Sequence, residues 1–189
     1  MSYEQENKQA LIAYFTKGAK GDKPLGALGV EVEHFVVTAE GERPVPYAGA
    51  EGAFGVRDVL AFLASFYPER TYGREGDLIG LASEEASITL EPAAQLEISI
   101  APYSSITQIL QVYQAFRARV DAFLSEHGCK LVTSGYHPTA CALDLTLIPK
   151  QRYRFMNSYF GEIGTHGERM MRASASTQVS VDYRDEADA

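Results

Sequence analysis

The sequence predicts an α+β domain in which helices cover one face of an antiparallel sheet. Three observations carry that prediction. Short runs rich in β-branched residues alternate at period two, stretches with helical spacing separate them, and each run sorts into an apolar side and a polar side. With 189 residues and 46% hydrophobic content, the chain can bury one full core or build part of a larger one.

Ser2 and Gln5 form a capping-box pair ahead of Ala10, Leu11, Tyr14 and Phe15, so the chain opens with an amphipathic helix. A loop from Gly18 to Gly26 ends it. Leu28 to Val37 reads as a strand, and Pro44 and Pro46 confine the next segment to an edge or a loop. Val56, Val59, Leu60, Leu63, Phe66 and Tyr67 mark a helix stopped by Pro68. Two strands come next, Ser87 to Glu91 and Gln95 to Ala101. Ser104 or Ser105 then caps a long helix with a stripe from Ile106 to Phe123, ended by Gly128. A short strand from Lys130 to Tyr136, a basic and aromatic helix from Lys150 to Phe160, a shorter helix through Met170 and a strand from Ser174 to Tyr183 complete the order. The tail from Asp185 to Asp188 has the acidic first turn expected of a new helix, which suggests a domain cut short.

Side chains of a strand alternate between faces, so the strands can be sorted by hand. Val30, Val32, Ile88, Leu90, Leu96, Ile98 and Val179 fall on the apolar side. Glu31, Glu33, Glu91, Glu97 and Gln178 fall on the other, with serines and threonines and no Lys or Arg. A solvent-facing sheet surface would look the same. Carboxylate oxygens are also the hard ligands that Mg²⁺ prefers, and Mg²⁺ commonly completes its shell with substrate phosphates, so the pattern equally outlines a metal–nucleotide site. The four histidines are scattered without a zinc spacing, and His34 falls on the apolar side, where a core or sheet-edge role is expected. P-loop and dinucleotide glycine signatures are absent.

A net charge of −8 argues against nucleic acid and anionic membrane partners. Cys129 and Cys141 lack a C-x-x-C spacing and read as reduced thiols. No stretch reaches membrane-spanning length, so a cytoplasmic protein is expected.

Four motifs occur in order: Gly29-Val30-Glu31-Val32-Glu33, Leu90 to Ser99, Pro149-Lys150-Gln151-Arg152-Tyr153, and Met170-Met171 followed by Ser176 to Asp182. Together they resemble the plant-type glutamate–cysteine ligases, a family with bacterial members. The resemblance implies a glutamine-synthetase-like antiparallel sheet, incomplete in this chain. Residues 1–189 would be the amino-terminal part, about half, of a single catalytic domain, and inactive in isolation. It further implies ATP- and Mg²⁺-dependent ligation of glutamate to cysteine, the first step of glutathione-type thiol synthesis.

In that reading Glu31, Glu33 and Glu97 bind metal with Glu91 and Gln178 close by, and Arg152, Met171, Arg172 and Ser180 belong to the substrate site. No residue acts as a covalent catalyst. Arg152 could equally be a surface helix charge, and the methionines core filler. Ala93-Ala94 stands where the family usually has Gly-Gly, which bears on the loop geometry. A ligase for another amine and a non-catalytic acidic metal-binding module both stay open.

Overall fold

The computed structural model describes residues 2–23 and 26–189; Pro24 and Leu25, inside the expected loop 18–26, and Met1 lie outside them. In chain order the elements are α1 (Tyr3–Gly18), β1 (Leu28–Thr38), α2 (Val56–Leu63), β2 (Glu69–Tyr72), β3 (Leu78–Ala82), β4 (Ala86–Leu90), β5 (Leu96–Tyr103), α3 (Ile106–Glu126), β6 (Cys129–Val132), α4 (Gln151–Ile163), α5 (Gly167–Ala173) and β7 (Thr177–Val181). The seven strands form one antiparallel sheet in the order β2-β3-β4-β5-β1-β6, with β7 paired to β1. The α+β expectation holds.

β1 organises the sheet because it is long enough to serve three partners. Val30 to His34 pair with β5, Leu28 to Val32 with β7, and Phe35 to Thr38 with β6. Its even-numbered side chains enter the main core. There Val32 and Val36 meet Ile88, Leu90, Leu96 and Ile98 of β4 and β5, under Val59, Leu60 and Leu63 of α2 and Phe116, Val120 and Leu124 of α3. Phe116 is fully buried, so truncation removes a whole ring from a close-packed space.

His34 belongs to this core, as the sequence indicates. Its ring is fully buried; Nδ1 donates to the Leu96 carbonyl at 3.1 Å, and Nε2 then accepts from the Tyr113 hydroxyl at 2.8 Å. Burial is the main reason its pKa falls to about 4.

Several elements depart from expectation. β2 and β3 are missing from the sequence reading: β2 is exposed at all four positions and so has no alternation, and β3 is interrupted by Gly80. A Cβ there would stand 3.3 Å from the Ile88 carbonyl, so a larger residue would crowd the neighbouring strand. α2 ends at Leu63 rather than Tyr67, and β6 stops at Val132 rather than Tyr136. β7 is shorter than expected, and Val179, expected in the core, is 55% exposed because among the described residues no helix covers the apolar side of that strand. The opening helix forms with its capping box but buries no residue. Residues 185–188 form a turn in which the Asp185 side chain accepts from the amides of Ala187 and Asp188, the hydrogen-bond pattern of a helix N-cap. Among the described residues no helix is long and apolar enough to cross a membrane.

Two outcomes test this packing. Phe116→Ala should lower unfolding free energy by about 3–5 kcal/mol, measured by urea denaturation. His34 binds a proton less readily folded than unfolded, so stability is lost as pH falls from 6.5 towards about 4. At about 1.4 kcal/mol per pH unit the full loss is about 3 kcal/mol. Melting between pH 7 and pH 4.5 should therefore fall more steeply for the wild type than for His34→Gln; equal slopes would remove the assignment.

Candidate active site

The register of the strands places the acids. Glu33 stands opposite Glu97, Glu31 opposite Ser99 on one side and Gln178 on the other, and Glu97 opposite Thr89. Directly paired residues share a face, so Glu31, Glu33, Glu97 and Gln178 all project from the side opposite the main core. Glu91 continues that alternation one residue past β4, where its amide donates to the Gln95 carbonyl at 2.9 Å. The loop between them has three residues, Pro92, Ala93 and Ala94. It keeps a tight hairpin geometry even though Ala94 adopts φ 67°, a conformation glycine enters more easily.

Each carboxylate has its own protein partner. Glu33 accepts from the Ser176 amide at 2.9 Å and hydroxyl at 2.8 Å, Glu31 from the Gln178 side-chain amide at 3.2 Å, and Glu97 from the Thr89 hydroxyl. Glu91 accepts from the Tyr153 hydroxyl at 3.2 Å and lies 3.9 Å from the Arg152 guanidinium. The set is nevertheless short of positive charge. Burial first, then the charges of Glu97 and Glu33, raise the pKa of both Glu31 and Glu91; the Tyr153 hydroxyl and Arg152 only partly offset this at Glu91.

The donors are all oxygen, the chemistry that suits a hard divalent cation. Among the described residues no three His, Cys, Asp or Glu side chains are gathered tightly enough to enclose one ion. A cation would therefore draw these carboxylates away from their present partners.

α4 and α5 wall the acidic face near the β4–β5 hairpin instead of joining α2 and α3 on the apolar side. Met171 is buried, Met170 is half exposed, and with Met156 they face Glu33, Glu91 and Ser176 across a cleft of about 260 Å³. Tyr153, the third residue of α4, is 1% exposed and takes a hydrogen bond from Arg152 at 2.8 Å. Burial pushes its pKa up to about 12, so the phenol keeps its proton.

Of the expected substrate residues, Arg152 lies beside the acids and Met171 in the cleft wall. Ser180 pairs with Gly29 farther along the acidic face, exposed. Arg172 is different. Its guanidinium donates to Asn157 from two nitrogens and to the Leu145 carbonyl at 3.1 Å, clasping α5 to α4 and the preceding loop.

Alternation places Gln95 on the polar side but assigns it no role. It is 1% exposed on the acidic side, accepts from the Ala93 amide, and donates to the carbonyls of Arg172 and Ser174, pinning the α5–β7 connection over the site. The only available signal was a polar residue beside a hairpin turn.

The sequence profile of glutamate-cysteine ligase family 2 matches residues 27–189, which include every one of these residues. The chain belongs to that family. It is 31% identical over 185 residues to glutamate–cysteine ligase A, chloroplastic, of Oryza sativa subsp. japonica, and 32% over 189 residues to the chloroplastic glutamate–cysteine ligase of Arabidopsis thaliana. Similarity to the Nicotiana tabacum enzyme is 29% over 185 residues. Each comparison covers 98% of this chain but only 34–36% of the relative, so the chain spans about a third of those enzymes, not half. The relatives are named as chloroplastic, which points to a plastid and overturns the cytoplasmic expectation. Cys129 and Cys141 are free thiols, which suit any reducing compartment and so could not separate the two.

The raised pKa of Glu91 fixes the sign of a test. The folded state takes up a proton more readily there than the unfolded chain, so stability from this group is full below about pH 4.5 and is lost as pH rises through the folded value. Glu91→Gln should therefore melt no lower than the wild type at pH 7, and higher if repulsion outweighs the Tyr153 bond. The difference should vanish at pH 4. A variant that melts lower at pH 7 would contradict the crowding argument.

Proposed function

We propose that the protein carrying this chain joins the γ-carboxylate of glutamate to the amino group of cysteine, driven by ATP and requiring Mg²⁺, as the first step of glutathione-type thiol synthesis. The observation that carries the reading is the convergence of Glu31, Glu33, Glu91 and Glu97 on one sheet face in a chain of a ligase family. In this reaction the γ-carboxylate attacks the terminal phosphoryl group and releases ADP; the amine then captures the acyl phosphate and releases phosphate. Mg²⁺ held by these glutamates, with Gln178 beside them, would neutralise phosphoryl oxygens during transfer.

The chain's own residues do the rest by position. Arg152 presents a guanidinium that can take a carboxylate or phosphate in a fork of two hydrogen bonds, and Tyr153 holds it in place. Met171 and its neighbours give the cleft an apolar wall that keeps water from the acyl phosphate. Ser180 extends the polar face towards the amine. The acids act by charge and orientation, since amide formation by way of an acyl phosphate needs no covalent enzyme nucleophile.

Glu97→Gln keeps size and hydrogen bonding and removes one negative charge. In the full-length protein, glutamate-dependent ATP turnover at saturating Mg²⁺ should fall about a thousandfold, while metal-free melting is unchanged or raised. Early melting with normal turnover would sink the metal role of Glu97. In a panel of amines cysteine should turn over fastest; a faster amine would replace it in the reaction.

A further inference from the structure

The acidic face is not the only charged concavity. On the other side of α4's first turn, the β2–β3 turn and the segment leading into α4 enclose a cleft of about 350 Å³. Arg74 enters it from the turn, and Lys150 and Arg154 from the start of α4. In a chain of net charge −8, three cations line this one cleft against a single acid, Glu75. Among the described residues none of the three cations is in an ion pair, and the first turn of α4 carries no acidic side chain.

The cleft walls are fixed before any ligand arrives. The Gly73 amide donates to the Asp77 carbonyl at 2.7 Å, closing the turn, and a Cβ on Gly73 would stand 3.2 Å from the Pro149 carbonyl. Turn and helix start are thus packed against each other. Lys150 is anchored over the Tyr153 ring, its Nζ 5.1 Å from the ring centre. Burial, and then the charge of Arg152, lower the pKa of Lys150, against the weaker opposing pull of Glu91 and Glu97. Tyr72 and Ile79 add an aromatic and an apolar surface beside the cations.

We infer that this cleft binds a phosphate group, held by Arg74, Lys150 and Arg154 and separate from the acidic face. Two guanidinium forks and an ammonium match the oxygens of a dianion, and Tyr72 offers a stacking surface if the phosphate carries a ring. The chemistry is shared by inorganic phosphate and by an aromatic phosphomonoester.

Calorimetric titration of the full chain with inorganic phosphate and with phenyl phosphate tests the inference. Excess EDTA removes any metal-bridged binding at the glutamates, so the result is independent of the proposed ligase chemistry. Saturable binding is expected, about tenfold weaker for Arg74→Gln and for Arg154→Gln, and unchanged for Arg57→Gln. Tyr72→Ala should weaken only phenyl phosphate; if the two ligands bind alike, inorganic phosphate is the source. Absence of saturable binding, or equal affinity in the Arg74→Gln/Arg154→Gln double variant, would overturn it. Melting curves establish that each variant is folded.

Discussion

Everything in this structure depends on the two-sidedness of β1. A strand that pairs with three others cannot slip by one residue without turning Val32 and His34 out of the core and Glu31 and Glu33 into it. The cost of burying two carboxylates forbids that register. The hydrophobic core and the acidic site are therefore specified by the same alternation, read from opposite sides. Where the same face continues past Glu33 it becomes apolar, with Phe35 and Val37 packing on Ala175, so the charged patch has a sharp end.

A sheet face with this much negative charge has to be held open by something other than attraction among its own members. Three devices do so. Ser176, Gln178, Thr89 and Tyr153 supply hydrogen-bond donors without positive charge, Arg152 supplies a cation at the rim, and Gln95 ties the α5–β7 connection across the floor. Neutral donors fix carboxylate positions yet leave the negative potential largely in place. A site that filled the same positions with lysines would be more stable and would have nothing left to offer a cation.

The strands that carry the acids were legible because each buries one side, and burial is what produces alternation. β2 was not, since Glu69 to Tyr72 are exposed throughout and no face is selected by the core. Val179 shows the converse: its sequence pattern is that of a buried position, but burial also requires a covering element, which one strand's sequence cannot report. The glutamates could be assigned to a face from local pattern. So could Gln95, but its bond to the Arg172 carbonyl, like that of Arg172 to Asn157, joins residues 77 and 15 positions apart and leaves no local signal. Compartment was illegible for another reason, since neither core packing nor free thiols encode an address.

Among the described residues β7 makes its strand pairing with β1 alone, and all five of its residues are exposed. Such a strand frays at far lower free energy than β5, which is buried between two neighbours. Gln178 and Ser176, the partners of Glu31 and Glu33, travel with that strand and the residue just before it. Each fraying event thus releases two carboxylates at once, so faster backbone amide exchange in residues 177–181 should accompany lower side-chain order on the acidic face, as one cooperative unit.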